Sequence, residues 1–490
     1  MSSRSSLCTG RAKNGITGSG FICKLIVLML LAVFDVGASK CQDIRSADQA
    51  AVPSRITAPI DANVRTALKG TIHPLANAAN DRGVAPDSLL LERIHLVLRR
   101  SDSQEQALHR LIEEMHTPGS VNYHKWLTPD QFGLQFGPSE EDIAGIETWL
   151  QSNGLAVSHV NPGRQTIEFS GSAGQFRKAF HSSVHKYEVQ GETRYANATD
   201  PEIPAALTPV VGGFVALNNF PVRSFVHVLG KASYQQKSHQ VTPQWTNSSK
   251  PSLVLAPADF AVQYDLGPLY QAGANGSGQS IAIVNESNIN IEQVNQFRTI
   301  FGLPANPPQI VIDGNDPGID GINNWAGPNG ASTEAYLDVE WAGSVAPNAT
   351  VYLVIASDSF LEAGLLLAAE HAVYSNIAPV ISMSFGACEK NLQSTNAFFN
   401  NLWEQAAAQG ITVLVSTGDN GSAGCDSNSQ ELALHGLGVN GLASTPYNIA
   451  VGGTDFYYPD YQNLSAADLG IYWNLTPTQL PQASLLQVNR

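Results

Sequence analysis

The sequence is poor in charge and especially poor in basic residues, and both deficits limit what the protein can bind. Charged residues make up 14% of the 490 residues, and 27 lysines and arginines stand against 42 aspartates and glutamates, giving a formal net charge of −15. Nucleic acids and anionic membranes bind proteins through basic surfaces that replace counterions. No basic run offsets this balance, so we expect no nucleic-acid partner.

Long apolar runs are also scarce. The run at residues 25–34 is about half of the roughly 20 residues that a membrane-spanning helix needs, so we expect no stable membrane anchor. Basic residues precede this run and the small residues Gly37 and Ala38 follow it, which is typical of a secretory signal peptide. We therefore predict a signal peptide at residues 1–38 and secretion to the extracellular space or the periplasm. The alternative is an uncleaved anchor helix.

Cysteine is rare, with five in the whole sequence. Removal of the signal peptide takes away Cys8 and Cys23. Of the three that remain, Cys388 and Cys425 could pair in an oxidising compartment, which leaves Cys41 over. Lys40 stands where a lipoprotein signal has a small residue, so we do not expect lipidation.

The amino-terminal half has the pattern of a compact α+β domain. Residues 92–100 alternate like a half-buried strand, and Ser103 with Gln106 predicts a capping box at the start of a helix. Further helix starts are predicted at Thr128, Ser139 and Ser172. Strands and helices in this mixed order indicate an α+β domain that ends near Phe220.

A polar stretch at residues 226–252, with few apolar anchors, is predicted to be a linker where proteolysis would separate two parts. Beyond it, near-continuous apolar runs alternate with helical stretches; the runs are residues 281–284, 350–354, 380–383 and 411–415. Such runs predict a parallel α/β sheet with helices on both faces. Ligands of these sheets bind beyond the carboxyl ends of the strands, so residues after the runs are candidates for function.

Two carboxylates, Glu334 and Asp338, lie four residues apart in a predicted helix. This spacing places them on one face, with Cβ atoms about 6 Å apart. Since two acids so close cannot both ionise freely, one should keep its proton to higher pH, which suits general-base chemistry in acid. The alternative is a solvated acidic helix end that complements the helix dipole. Asp419, taken alone, lies in an ordinary Gly-Asp-Asn-Gly turn.

The segments around this pair resemble those of the subtilisin superfamily in sequence and order. The helix runs into a Val-Ala-Pro strand entry at residues 345–347, and residues 379–386 and 413–421 follow. This sequence has carboxylates where the superfamily has a histidine and an asparagine. In this respect it resembles the sedolisin, or serine-carboxyl peptidase, family. The resemblance implies a subtilisin-like α/β fold and hydrolysis of polypeptide substrates at acidic pH. It implies that Glu334 is the general base, Asp338 its hydrogen-bonded partner and Asp419 the oxyanion-hole group.

Other segments extend the resemblance over most of the chain. Residues 257–304 resemble the family's mature amino terminus, and residues 123–139 resemble a kumamolisin-type activation propeptide with a ferredoxin-like fold. The resemblance implies a propeptide domain at residues 39–225, with its core at about 85–222. A linker with the activation cleavage follows at residues 226–252, and a partial peptidase domain at residues 253–490. The propeptide would act as an intramolecular inhibitor and chaperone. Cys388 and Cys425 lie where some members carry a disulfide.

The sequence departs from the family in one respect. The family's nucleophile lies in a Gly-Thr-Ser segment after the Gly-Gly-Thr strand, and its Ca²⁺ ligands lie later still; this sequence contains neither. Ser465 and Ser484 lack the glycines that shape an exposed nucleophile and are interpreted as ordinary loop serines. We therefore expect a truncated chain with no nucleophile and no metal ligands, inactive alone and with an exposed sheet edge. The alternatives are a non-catalytic pseudopeptidase or an inhibitor of an intact relative; an adhesion module would explain none of the motifs.

Overall fold

The computed structural model describes residues 52–483, except residues 190, 221, 225, 227–231, 244–254, 320–329, 427–431, 459, 461–462, 475–479 and 481. The predicted signal peptide and Cys41 lie outside the described residues. No helix within the described part of the chain is long and apolar enough to cross a bilayer.

The amino-terminal domain, residues 52–224, is built on a four-stranded antiparallel sheet. Its elements are β1 (Arg65–Ala67), β2 (Asp81–Val84), β3 (Leu90–Leu98), α1 (Asp102–His116), α2 (Pro129–Phe136), α3 (Glu140–Ser152), β4 (Ala156–Val160), β5 (Thr166–Ser172), α4 (Ala173–Phe180), β6 (Val184–Val189), β7 (Glu192–Asn197), β8 (Glu202–Pro204), β9 (Val211–Phe214) and β10 (Arg223–Ser224). The sheet order is β4-β5-β3-β9, with every neighbour antiparallel. This order and the β-α-β-β-α-β succession are those of the predicted ferredoxin-like fold.

Local capping fixes where these helices begin. The starts predicted at Thr128, Ser139 and Ser172 are present, each serine or threonine accepting a backbone N–H of the first turn. The start predicted at Ser103 is wrong: Ser101 is the N-cap of α1, with Gln104 completing the capping box. Both serines have a glutamine three residues later, so the local pattern does not distinguish them.

The carboxy-terminal domain, residues 255–483, carries the larger sheet. Its elements, preceded by the hairpin β11 (Ala232–Gln235) and β12 (Gln240–Pro243), are α5 (Pro257–Gln263), α6 (Gly267–Gln271), β13 (Ser280–Asn285), α7 (Ile291–Ile300), β14 (Gln309–Ile312), α8 (Gly330–Val345), β15 (Thr350–Ile355), α9 (Gly364–Tyr374), β16 (Val380–Met383), β17 (Phe385–Gly386), α10 (Glu389–Leu392), α11 (Ser394–Ala408), β18 (Thr412–Ser416), β19 (Ile449–Val451) and α12 (Ala466–Leu469). The antiparallel hairpin lies inside the segment that the sequence predicts to be a linker.

Six parallel strands form this sheet, in the order β14-β15-β13-β16-β18-β19. Successive residues of β13 point to opposite faces: Ile283 packs with Ala335 and Val339 of α8, whereas Val284 packs with residues of α9. Both faces are therefore covered by helices, and the predicted α/β class is confirmed. The β19 edge is different, since Ile449 is 53% and Val451 43% exposed.

A buried histidine joins the two domains. His95 of β3 is 3% exposed, and its Nδ1 lies 2.9 Å from Glu362 Oε2 of the carboxy-terminal domain. Its Nε2 lies 3.2 Å from Glu168 Oε2 and 3.7 Å from Glu370 Oε2. Burial alone lowers the pKa of His95, but the negative charges of Glu362 and Glu370 outweigh it and raise that pKa well above its ordinary value. The imidazole thus lies among three carboxylates, which favour its protonated form.

Candidate active site

Helix α8 holds the two predicted carboxylates against the parallel sheet. Ala335 and Val339, which are 0% and 2% exposed, pack on the sheet and fix the rotation of the helix. Glu334 is only 5% exposed. Asp338 lies one helical turn further on, so the two carboxyl groups share one face and lie side by side in a desolvated environment.

The partner of Asp338 comes from the end of a buried strand. Ser384, directly after β16, donates its hydroxyl to Asp338 Oδ1 at 2.8 Å. Asp338 Oδ2 is buried, and the carboxyl group of Asp338 also interacts with that of Glu334. Ser384 therefore fixes the orientation of the Asp338 carboxyl while its second oxygen stays available to a neighbouring group.

Burial changes the acidity of both carboxyl groups. The pKa of Glu334 is raised to about 7, chiefly by burial and also by the negative charge of Asp419, while a hydrogen bond from Ser224 opposes the rise. Burial and the charge of Glu334 raise the pKa of Asp338 well above its ordinary range. The pair therefore holds a proton to higher pH than either acid would in water, as expected of two acids in one desolvated site.

The third predicted carboxylate is brought to the same place. Asp419 lies in the turn that follows β18, at the same edge of the sheet as Ser384. The preceding Gly418 has a φ of 89°, a conformation that glycine adopts without strain, and this lets the chain turn at the end of the strand. Asp419 is exposed, and its charge acts on Glu334.

A strand of the amino-terminal domain also enters the site. β10 pairs antiparallel with β17, with Arg223 opposite Gly386 and Ser224 opposite Phe385. Ser224 is 8% exposed, and its hydroxyl donates to Glu334 Oε2 at 2.7 Å. The last strand of the amino-terminal domain thus covers Glu334 and supplies it with a serine hydroxyl.

Ser224→Ala is expected to raise the pKa of Glu334, because the hydroxyl donates to the charged carboxylate and so favours it. Loss of a buried hydrogen bond to this group should also cost about 1–3 kcal/mol of stability. The pH dependence of the free energy of unfolding in urea measures both effects. Ser375→Ala, at an exposed serine that bonds its own helix, is the control. An unchanged pH midpoint in Ser224→Ala would contradict the contact.

Sequence reasoning missed Ser384 and Ser224. Ser384 could have been found, because it follows a buried parallel strand at the ligand-binding edge. Ser224 carries no local signal, since it lies 110 residues from Glu334 in the chain. Ser465 caps the short helix α12 and is exposed, as expected of a loop serine, and Ser484 lies outside the described residues.

Other candidate side chains have different partners. His371 Nδ1 lies 3.5 Å from Asp313, and His435 Nδ1 lies 2.7 Å from Asp426. Cys388 and Cys425 form a disulfide, with Cα atoms 4.6 Å apart.

The calcium ligands implied by the resemblance belong to a segment that the sequence does not contain. Among the described residues, the ligand atoms of Glu105, His109 and Glu404 converge. An imidazole in this set does not fit Ca²⁺, which prefers oxygen ligands. No step proposed below uses calcium.

Comparison with known proteins gives one matching family model and several related sequences. The family model described as "Pro-kumamolisin, activation domain" matches residues 77–220. The chain is 28% identical to sedolisin of Pseudomonas sp. (strain 101) over 370 residues, covering 75% of this chain and 60% of the relative. It is 29% identical to xanthomonalisin of Xanthomonas sp. (strain T-22) over 416 residues, covering 79% of this chain and 48% of the relative. The chain thus spans about half to three fifths of these relatives.

A solved structure of Pseudomonas sedolisin, complexed with two molecules of pseudo-iodotyrostatin, matches 42% of this chain and 56% of that one, at 24% identity and a TM-score of 0.32. Residues 77–220 thus match a pro-kumamolisin activation domain, and the chain as a whole is similar to the sedolisin family.

Proposed function

We propose that the chain is the precursor of a secreted serine-carboxyl endopeptidase that hydrolyses peptide bonds in acid, and that it carries the propeptide and the base side of the active site. The observation that supports this most strongly is the buried pair Glu334 and Asp338 with a serine hydroxyl bonded to Glu334. The Ser224 hydroxyl lies 2.7 Å from Glu334 Oε2. This is within the range of about 2.6–3.2 Å that a nucleophilic hydroxyl and its base need.

In the proposed reaction, Glu334 accepts the proton of a serine hydroxyl as the oxygen attacks the peptide carbonyl. Asp338, oriented by Ser384, shares the proton with Glu334, and Glu334 gives it to the leaving amine as the peptide C–N bond breaks. Water, deprotonated by the same base, then hydrolyses the acyl ester and releases the serine. Asp419 stabilises the oxyanion as a neutral donor, because a charged carboxylate would repel it. A protonated carboxyl group can serve as such a donor, and acid favours the protonated form of Asp419. The attacking serine would come from a Gly-Thr-Ser segment outside this sequence.

The contacts of β10 support a propeptide that blocks its own active site. Antiparallel backbone pairing with a strand is a common way for a protein to bind an extended peptide, so we propose that substrate lies along β17 where β10 lies now. The Ser224 hydroxyl meanwhile donates a hydrogen bond to Glu334 Oε2.

Burial of Glu334 under β10 supports a second way in which the propeptide keeps the precursor inactive. With its pKa held at about 7, Glu334 is protonated in acid and cannot accept a proton. Departure of the propeptide, after cleavage in the segment 226–252, would expose Glu334 to water and return its pKa toward the ordinary value. Glu334 could then act as a base at acidic pH, and substrate could reach the site.

Glu334→Gln is expected to reduce peptide hydrolysis about 10³-fold, because it removes the general base. The test uses the chain extended by the coding sequence downstream, which should encode Gly-Thr-Ser and an aspartate-rich segment, after one frame correction if needed. After acid activation, cleavage of denatured casein near pH 4 is measured. Glu340→Gln, a buried carboxyl group of the same helix, is the matched control. The chain without the extension should leave casein intact.

The outcomes separate the two readings of this chain. If the downstream sequence encodes no such segment, or the extended chain leaves casein intact, the peptidase proposal fails and a non-catalytic inhibitor is favoured. The contact of Ser224 with Glu334 is the observation consistent with that second reading. Cleavage by the unextended chain that is lost in Glu334→Gln would instead contradict the expected inactivity.

A further inference from the structure

A second group of ionisable side chains lies between the two domains, on the packed pair of helices α1 and α11. Glu105 and His109 are one turn apart on α1, and Glu404 faces them from α11. Leu108 of α1, fully buried, packs in one apolar cluster with Ala408 of α11. Close packing of the helices therefore fixes the separation of the three side chains.

The ligand atoms of the group converge on one point. His109 Nε2 lies 2.9 Å from Glu404 Oε1 and 3.3 Å from Glu105 Oε1. In tetrahedral coordination with bonds of about 2.0–2.2 Å, neighbouring ligand atoms are roughly 3.3 Å apart. The spacing found here is close to that of ligands around a single ion.

Arg100 orients both carboxylates. Its guanidinium binds Glu105 Oε2, with Nε at 2.6 Å, and also Glu404 Oε2. Arg100 Nη2 also donates to Glu105 Oε1, at 3.4 Å. In both carboxylates Oε1 is the oxygen nearer to His109. This arrangement resembles the outer-shell contacts that hold metal ligands in place.

The carboxyl group of Glu404 is buried at this point. Its side chain is 0% exposed, a hydrogen bond links it to Tyr447, and Oε1 lies 2.9 Å from His109 Nε2 without accepting a well-aligned hydrogen bond. Buried carboxylate oxygens are normally paired, because removing them from water is costly. A cation bound between Glu404 Oε1, Glu105 Oε1 and His109 Nε2 would satisfy this oxygen.

We propose that Glu105, His109 and Glu404 bind one Zn²⁺ ion that links the propeptide to the peptidase domain. A nitrogen ligand with two carboxylate oxygens suits Zn²⁺, whereas Mg²⁺ and Ca²⁺ favour oxygen alone. His109 and Glu105 are 52% and 36% exposed, which gives the ion a path from solvent and leaves room for a water as fourth ligand. The site is independent of the proposed peptidase activity.

The test is calorimetric titration of the full chain with ZnCl₂ at a fixed neutral pH after chelator treatment. We expect one Zn²⁺ per chain and an increase in Tm with zinc, with no comparable response to Mg²⁺ or Ca²⁺. Co²⁺ should give the visible absorption of a four-coordinate ion. His109→Ala is expected to weaken Zn²⁺ binding by about 100-fold or more, since loss of even an outer-shell partner costs 10–100-fold.

His116→Ala, at the last residue of the same helix, is the matched control and should keep the zinc response of the unaltered chain. Since His109 is half exposed, its alanine variant tests the site even if Glu404→Gln fails to fold. Absence of Zn²⁺ binding would overturn the proposal and leave a set of ion pairs. Equal binding by His109→Ala and the unaltered chain would overturn it as well, because the ion would then lie elsewhere.

Discussion

Replacement of His95 by alanine is expected to lower the free energy of unfolding by about 3–5 kcal/mol at pH 7, because it leaves buried carboxylates without their cation. Glu362 is fully buried, and Glu168 and Glu370 are nearly so, so water cannot take the place of the imidazole. Since Glu362 and Glu370 belong to one domain and His95 to the other, the loss should also weaken the contact between the domains. Urea unfolding measures the total effect.

His159→Ala is the matched control. This histidine lies on β4 of the same sheet and is 56% exposed, at 4.0 Å from Glu168. Its loss should therefore cost less than about 1 kcal/mol. His95→Gln keeps a hydrogen-bonding group without the charge and should give an intermediate loss. Equal unfolding free energies for His95→Ala and His159→Ala would show that the buried cation does not stabilise the fold.

The free energy of unfolding is expected to be greatest near pH 5 and to fall by about 3 kcal/mol or more toward pH 8.5. Burial raises the pKa of Glu334 to about 7 and that of Glu340 to about 8, from 4.5, and the pKa of His95 is also raised. Each group binds its proton more tightly in the folded chain. Its stabilisation is complete below the unfolded pKa and is lost as the pH rises through the folded pKa.

Carboxylates with depressed pKa values act in the opposite sense at lower pH. The pKa of Glu168 is lowered because hydrogen bonds from His95 and Ser158 outweigh its burial. Its stabilisation is present above the ordinary glutamate pKa and is lost only as the pH falls well below it. Denaturant titrations from pH 4 to 9 test the curve.

Glu340→Gln should flatten the decline between pH 5 and 8.5, whereas Glu113→Gln, at an exposed glutamate of α1, should leave it unchanged. A stability that stays constant or rises over this range would contradict the raised pKa values.

Much of the local structure could be predicted because it depends on neighbours in the chain. Capping boxes located the starts of α2 and α4, and apolar runs located β13, β15, β16 and β18. The error at α1, where Ser101 and not Ser103 is the cap, arose because two serines satisfy the same local rule. Tertiary packing, which the pattern does not contain, made the choice.

The candidate site was only partly predictable. The four-residue spacing of Glu334 and Asp338 and the turn at Asp419 are visible in the sequence, and the rule for strand ends could have added Ser384. The pairing of Ser224 with Glu334 joins residues of two different domains. Such a contact depends on how the domains pack, and no local pattern records it.

The sequence by itself determined the alternation of strands and helices, the helix that carries Glu334 and Asp338, and their common face, because these follow from backbone geometry and side-chain periodicity. The tertiary structure decided which of the many acidic side chains are buried, which cation or hydroxyl each one meets, and therefore which hold their protons. Desolvation and Coulomb interactions act through space, so the acidity of Glu334 and the charge on His95 depend on residues far away in the chain.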